Sequence, residues 1–159
     1  MPDIVPCLWF DTQAEEAAKF YVSIFPNSKV THVDYYGEAG PRPAGTVITA
    51  SFELDGKPFL GLNGGPEFTF SEAVSLQVFC ADQAEVDHYW NSLTADGGQE
   101  SQCGWLKDRF GFSWQIVPTR LMQLLQDPDQ ARSQRAMGAM LQMRKIVIAD
   151  LEAAADSAG

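Results

Sequence analysis

The sequence is short of the residues that most metal, nucleotide and nucleic-acid sites are made from. It has two histidines in 159 residues, His32 and His88, and three cysteines, none forming a C-x2–4-C pair. A zinc site of the usual spacing is therefore excluded. An odd number of thiols with no export-like leader argues against a disulfide framework and for reduced cysteines in a cytoplasmic setting. No run approaches the roughly 20 apolar residues of a membrane helix. No glycine-rich turn with a downstream acidic residue follows the first strand, so the usual nucleoside-cofactor loop is missing. Basic residues are few, 11 against 21 acidic, and the net charge of −10 repels a polyanion. Nucleic acid is not an expected partner.

What is present is an ordinary globular composition, 45% hydrophobic and 20% charged, enough for one domain with a real core. Residues 4–10 read as a strand with Pro6 limiting its pairing. Asp11 and Thr12 offer a cap, and apolar residues at 14, 17, 18, 21, 24 and 25 predict an amphipathic helix stopped by Pro26. Strands follow at 29–36, 46–54 and 57–62, the last two joined by the hairpin turn Asp55-Gly56. The loop 37–45, with Arg42, can be a lid or a plain connection, and the connection is favoured.

The same order returns after Gly64-Gly65-Pro66: strand 73–80, helix 83–94 opened by Asp82, a short strand at 99–107, a turn at 108–111 and a strand at 112–117. Gln13-Ala14-Glu15 lies opposite Gln83-Ala84-Glu85, with Phe20 opposite Trp90, so the chain reads as an internal duplication. The fold class is α+β. Two βαβββ modules, about 1–66 and 67–118, make a paired domain over 1–118, and 119–159 is a helical extension. There Leu121 to Leu125 predict a short helix. Asp127-Pro128 predicts the start of a second, 20 to 25 residues long, with Met137, Met140, Leu141, Ile148 and Leu151 on its stripe. That stripe is covered either by the rest of the chain or by a second copy.

The opening Ile4-Val5-Pro6-Cys7-Leu8-Trp9-Phe10, the run Cys103-Gly104-Trp105-Leu106-Lys107-Asp108-Arg109-Phe110-Gly111 and Ser113-Trp114-Gln115-Ile116-Val117-Pro118 carry a resemblance. So do Phe52-Glu53-Leu54-Asp55-Gly56, Leu62-Asn63-Gly64-Gly65-Pro66 and Met140-Leu141-Gln142-Met143. The chain resembles the PhnB-like branch of the vicinal oxygen chelate superfamily, the glyoxalase and bleomycin-resistance fold, whose members are often labelled 3-demethylubiquinone-9 3-methyltransferases. The resemblance implies a mixed sheet curved around a cup, a homodimer, and, in active members, a divalent metal held by histidines and glutamates. The matching positions here are Val5, Gly61, Ser75 and Gln115, none a strong ligand. The resemblance thus implies the fold without its metal, and no cofactor is expected.

Strand alternation groups Val5, Cys7 and Trp9 on one face, and Ser75, Gln77 and Phe79 on another. The candidate ligand-binding residues are Cys7, Trp9, Asn63, Ser75, Gln77, Trp105 and Gln115. Trp9 and Phe79 can equally be core. Cys103 is the one candidate nucleophile, near Lys107 and Arg109 in sequence, although a free cysteine is more often a buried small hydrophobe. His32 and His88 read as surface or boundary residues. The favoured function is binding of a small apolar or aromatic molecule. The alternatives are a metal-independent or atypical lyase, isomerase or dioxygenase, and an interaction protein whose cup is filled by its own side chains.

Overall fold

The computed structural model describes residues 2–157, which divide into two compact units with the boundary between Phe70 and Ser71. In the first unit the order is β1 (Cys7–Phe10), α1 (Ala14–Ile24), β2 (Lys29–Tyr35), β3 (Val47–Leu54) and β4 (Lys57–Asn63). The sheet order is β1-β4-β3-β2, with β1 parallel to β4 and the remaining pairs antiparallel. The second unit repeats this with β5 (Ser75–Cys80), α2 (Gln83–Thr94), β6 (Gln99–Glu100), β7 (Trp105–Lys107) and β8 (Ser113–Pro118), in sheet order β5-β8-β7-β6. The duplication expected from the element order is therefore present as two four-stranded mixed sheets, and the fold is α+β.

Each sheet has one face under its helix. In the first, Ala14, Ala17, Ala18, Tyr21 and Ile24 of α1 are buried, as are Leu8, Phe10, Ala50, Phe52 and Leu54 of the strands. Burial follows the two-residue period of a strand. Gly61 belongs to this packed side, because a Cβ there would meet the Ala14 Cβ at 3.2 Å. The helix can approach this closely only over a glycine. In the second unit Val86, Trp90 and Leu93 of α2 are buried together with Leu106, Trp114 and Ile116.

The two helices begin differently. Asp82 accepts from Glu85 N at 2.9 Å and caps α2 in the ordinary way. At α1 neither Asp11 nor Thr12 serves: the N-cap is Gln13, which makes no side-chain cap bond. Instead Asn63 Oδ1, at the end of β4, accepts from Ala14 N at 2.8 Å, and its Nδ2 donates to Val47 O. Asn63 is thus a long-range cap. Asn63→Ala leaves a buried donor and acceptor unmatched, and is expected to cost about 1–3 kcal/mol, with ligand affinity unchanged. Thermal melts alongside a binding titration check this.

The loop between β2 and β3 is closed by Tyr36 N to Thr46 O at 2.8 Å and Gly45 N to Tyr36 O at 2.9 Å. It is a bonded connection, with Arg42 lying beside Gly65.

Two further expectations are corrected. Residues 99–107 are not one strand but a hairpin of β6 and β7, because Cys103 and Gly104 both take positive φ, 58° and 85°. Consecutive left-handed residues reverse the chain as a primed hairpin turn requires. The predicted long C-terminal helix is also broken. Short α3 (Thr119–Leu125) is followed by α4 (Gln130–Met140) and α5 (Ile148–Asp156), with a non-helical strap between the last two.

The strap's backbone is spent on tertiary bonds. Met143 O and Arg144 O accept from Cys103 N and Gly104 N, each at 2.8 Å. Gln83 clamps the other end, donating to Ile146 O and accepting from Ile148 N. These bonds outweigh the helical pattern, which the β-branched run Ile146-Val147-Ile148 supports only weakly. The extension accordingly packs on the second unit of its own chain, around Val117, Leu121, Leu124, Ala136, Ile146, Leu151 and Ala155. Arg135 closes the C-terminus of α5 by donating to Ala154 O and Ala155 O. No helix among the described residues is long and apolar enough to cross a membrane.

Candidate functional site

The faces of the two sheets turned away from the helices carry most of the candidate residues. In the first unit Cys7 and Trp9 share such a face with Leu60 and Leu62, their register partners on β4, and with Thr49 and Ser51 beyond. Trp9 Nε1 donates to Gly65 O at 2.9 Å, and its ring meets Phe68 edge-on at 5.0 Å. A Cβ on Gly64 would lie 2.3 Å from the Trp9 ring, so the indole is seated on that glycine. Burial raises the Cys7 thiol above its ordinary range, which keeps it protonated. Asn63, by contrast, lies on the helix-covered side, where its bonds are structural.

Sequence reasoning missed one group here. His32 Nε2 lies 2.8 Å from Asp34 Oδ1, and Thr49 Oγ1 donates to Asp34 Oδ2 at 3.1 Å. The His32 contact, followed by that of Thr49, lowers the Asp34 carboxyl below its usual range. Spacing of i, i+2 on a strand puts both side chains on one face, which is the signal that could have revealed the pair.

In the second unit Gln77, Gln115 and Trp105 occupy one row across β5, β8 and β7, and Ser75, Ser113 and Lys107 the next. Gln115 Nε2 donates to Ser75 Oγ at 2.8 Å, and Gln115 Oε1 accepts from Gln77 Nε2 at 3.3 Å. Four of the candidates, Ser75, Gln77, Trp105 and Gln115, are therefore brought together on one face, three neutral polar groups beside an indole. Beside it, Glu72, Gln99, Glu100, Ser101, Trp105, Leu106, Lys107 and Ser113 line a cavity of about 220 Å³.

Cys103 stands apart from this row, in the turn that carries the strap. Its sequence neighbours are engaged elsewhere, Lys107 with Glu72 and Arg109 with Asp96. Cys80 is buried beneath the sheet, and desolvation, with lesser contributions from Glu85 and Asp82, pushes its thiol up to about 12. It remains an unreactive thiol at neutral pH.

Residues 2–117 match the model of the family described as 3-demethylubiquinone-9 3-methyltransferase. The chain belongs to that family. Its members' fold recurs in a putative 3-demethylubiquinone-9 3-methyltransferase, PhnB protein, from Bacillus cereus, 35% identical, covering 74% of this chain and 99% of that one, with a TM-score of 0.67. Protein PA1353 from Pseudomonas aeruginosa shares the fold at 20% identity, covering 74% and 98% of the two chains, with a TM-score of 0.61. So does the fosfomycin resistance protein FosX from Mesorhizobium loti, at 9% identity, 73% and 90% coverage and a TM-score of 0.53. No curated protein matches. The fold is that of the PhnB-like vicinal oxygen chelate proteins, and the extension lies beyond the stretch that the family model matches.

The positions that the superfamily uses for a metal do not fit one here. Gly61 points at α1, and its neighbours on the other face, Leu60 and Leu62, offer only hydrocarbon. Ser75 and Gln115 are bonded to one another, and a neutral amide is a poor ligand for a divalent cation. Among the described residues no three His, Cys, Asp or Glu side chains converge.

Proposed function

We propose that this member of the family binds a small apolar or aromatic molecule, and that it does so without a divalent metal at the positions the superfamily uses. One observation carries this reading. At two of the positions where charged ligands would stand, Ser75 and Gln115 are neutral and hydrogen-bonded to one another, and Gln77 joins them beside the Trp105 indole. Neutral, mutually satisfied donors and acceptors next to an aromatic wall suit a largely apolar ligand with a few directed polar contacts. The methyl transfer in the family's name requires a nucleoside-type donor, for which the sequence offers no glycine-rich turn, and it is not part of the proposal.

Native mass spectrometry of freshly purified protein, with elemental analysis of the same sample, tests the reading and also a homodimer. The expected result is less than one divalent metal per ten chains and an organic mass increment lost on collisional activation. One Zn, Ni, Mn or Fe per chain, abolished by Gln115→Ala, would overturn it.

A further inference from the structure

The cavity beside the amide row contains a polar group that the fold leaves unmatched. Ser113 is 1% exposed, and its Oγ has no hydrogen-bond partner among the described residues. Buried hydroxyls normally have one. Its register partner on β7 is Lys107, whose ammonium pairs with Glu72. The pair is asymmetric: the Glu72 side chain is 61% exposed and that of Lys107 35%. Both line the cavity, and Glu72, the more exposed partner, can turn into water with little desolvation to reverse. The other carboxylate of the lining is already engaged, Glu100 accepting from Trp90 Nε1 at 2.7 Å and pairing with Arg144.

Lys107 and Ser113, register partners on β7 and β8, thus both line the cavity, with an indole two residues from Lys107 on the same face of β7. An ammonium and a hydroxyl both donate to an anion. Trp105 supplies an aromatic wall. The volume, about 220 Å³, falls below the roughly 300–1,000 Å³ of drug-sized sites and suits a single ring.

We propose that this cavity holds a small aromatic monocarboxylate, its carboxylate taking the place of Glu72 on Lys107 Nζ and receiving Ser113 Oγ–H, its ring on Trp105. The proposal rests on the small-molecule reading above and adds the anionic head group to it.

Calorimetric titration of the intact protein with benzoate and with benzamide, its neutral counterpart, tests this. Benzoate is expected to bind about tenfold or more tighter than benzamide, the discrimination typical of a charge-assisted hydrogen bond. Lys107→Met should remove that preference, and Ser113→Ala should weaken benzoate several-fold. Glu72→Gln should tighten benzoate, because the competing carboxylate is gone, and a gain of this kind cannot arise from misfolding. Equal affinities for the two probes would overturn the head-group assignment and leave the small-molecule reading standing. No benzoate binding at millimolar concentration would overturn it too, and the fate of the broader reading is then decided by the native mass spectrum.

Discussion

Replacing Asp108 by alanine is expected to destabilise the second unit by about 3–5 kcal/mol, more than a surface carboxylate could account for. Asp108 is 2% exposed. Its Oδ1 accepts from Phe110 N at 2.9 Å and Phe112 N at 3.0 Å, and its Oδ2 from Trp114 Nε1 at 2.9 Å. The turn also bonds Gly111 N to Asp108 O, with Gly111 at a φ of 86°. One side chain thus holds the turn between β7 and β8 and orients the buried Trp114. Alanine would strand the buried donors Phe112 N and Trp114 Nε1, and each stranded group costs about 1–3 kcal/mol. Asparagine keeps the shape but turns an NH2 toward one of the donors, so its loss should be intermediate. Urea unfolding followed by tryptophan fluorescence reads both. A loss below 1 kcal/mol for Asp108→Ala would show that the turn holds itself without the carboxylate.

This residue also illustrates what could be read in advance. Asp108 was legible as a turn residue from the Asp-x-x-Gly spacing, and the two modules from their repeated element order, because turn chemistry and strand period are local properties. That Ser75 and Gln77 share a face was legible for the same reason, since alternation fixes which side chains of one strand point together, whereas their junction with Gln115 and Trp105 depends on the register of β5, β8 and β7. What the sequence could not yield is what depends on partners far along the chain. Asn63 reads as a turn residue and a ligand-binding candidate, yet it caps a helix 49 residues away. Ser113 reads as one more strand residue, and its unmatched hydroxyl exists only once β7 and Glu72 close around it. The 20-to-25-residue helix failed at the strap because Cys103, Gly104 and Gln83 take the backbone groups that a helix would use internally.

The strap makes a second prediction, a large loss at one position and almost none at its neighbour. Gly104→Ala is expected to cost about 2–4 kcal/mol. A residue with a Cβ at φ 85° carries roughly 1–2 kcal/mol of backbone strain, and the new carbon would lie 2.9 Å from Ile116 O and 3.2 Å from Ile146 Cγ1. The first of these neighbours is strand backbone and cannot step aside without disturbing β8. Cys103→Gly works the other way: relief of the left-handed φ of 58° offsets the entropy that glycine loses on folding, leaving a net change within about 0.5 kcal/mol. Hydrogen exchange separates the two. Gly104→Ala should expose the amides of 103 and 104 and that of Ile148, which together pin the strap, while Cys103→Gly should leave them protected. Because Cys103→Gly also deletes the thiol, undiminished binding by that variant would assign Cys103 to the architecture of the extension. A Gly104→Ala protein with an undisturbed strap would mean that the hydrophobic cluster around Ile146 and Leu151 holds the extension without the turn.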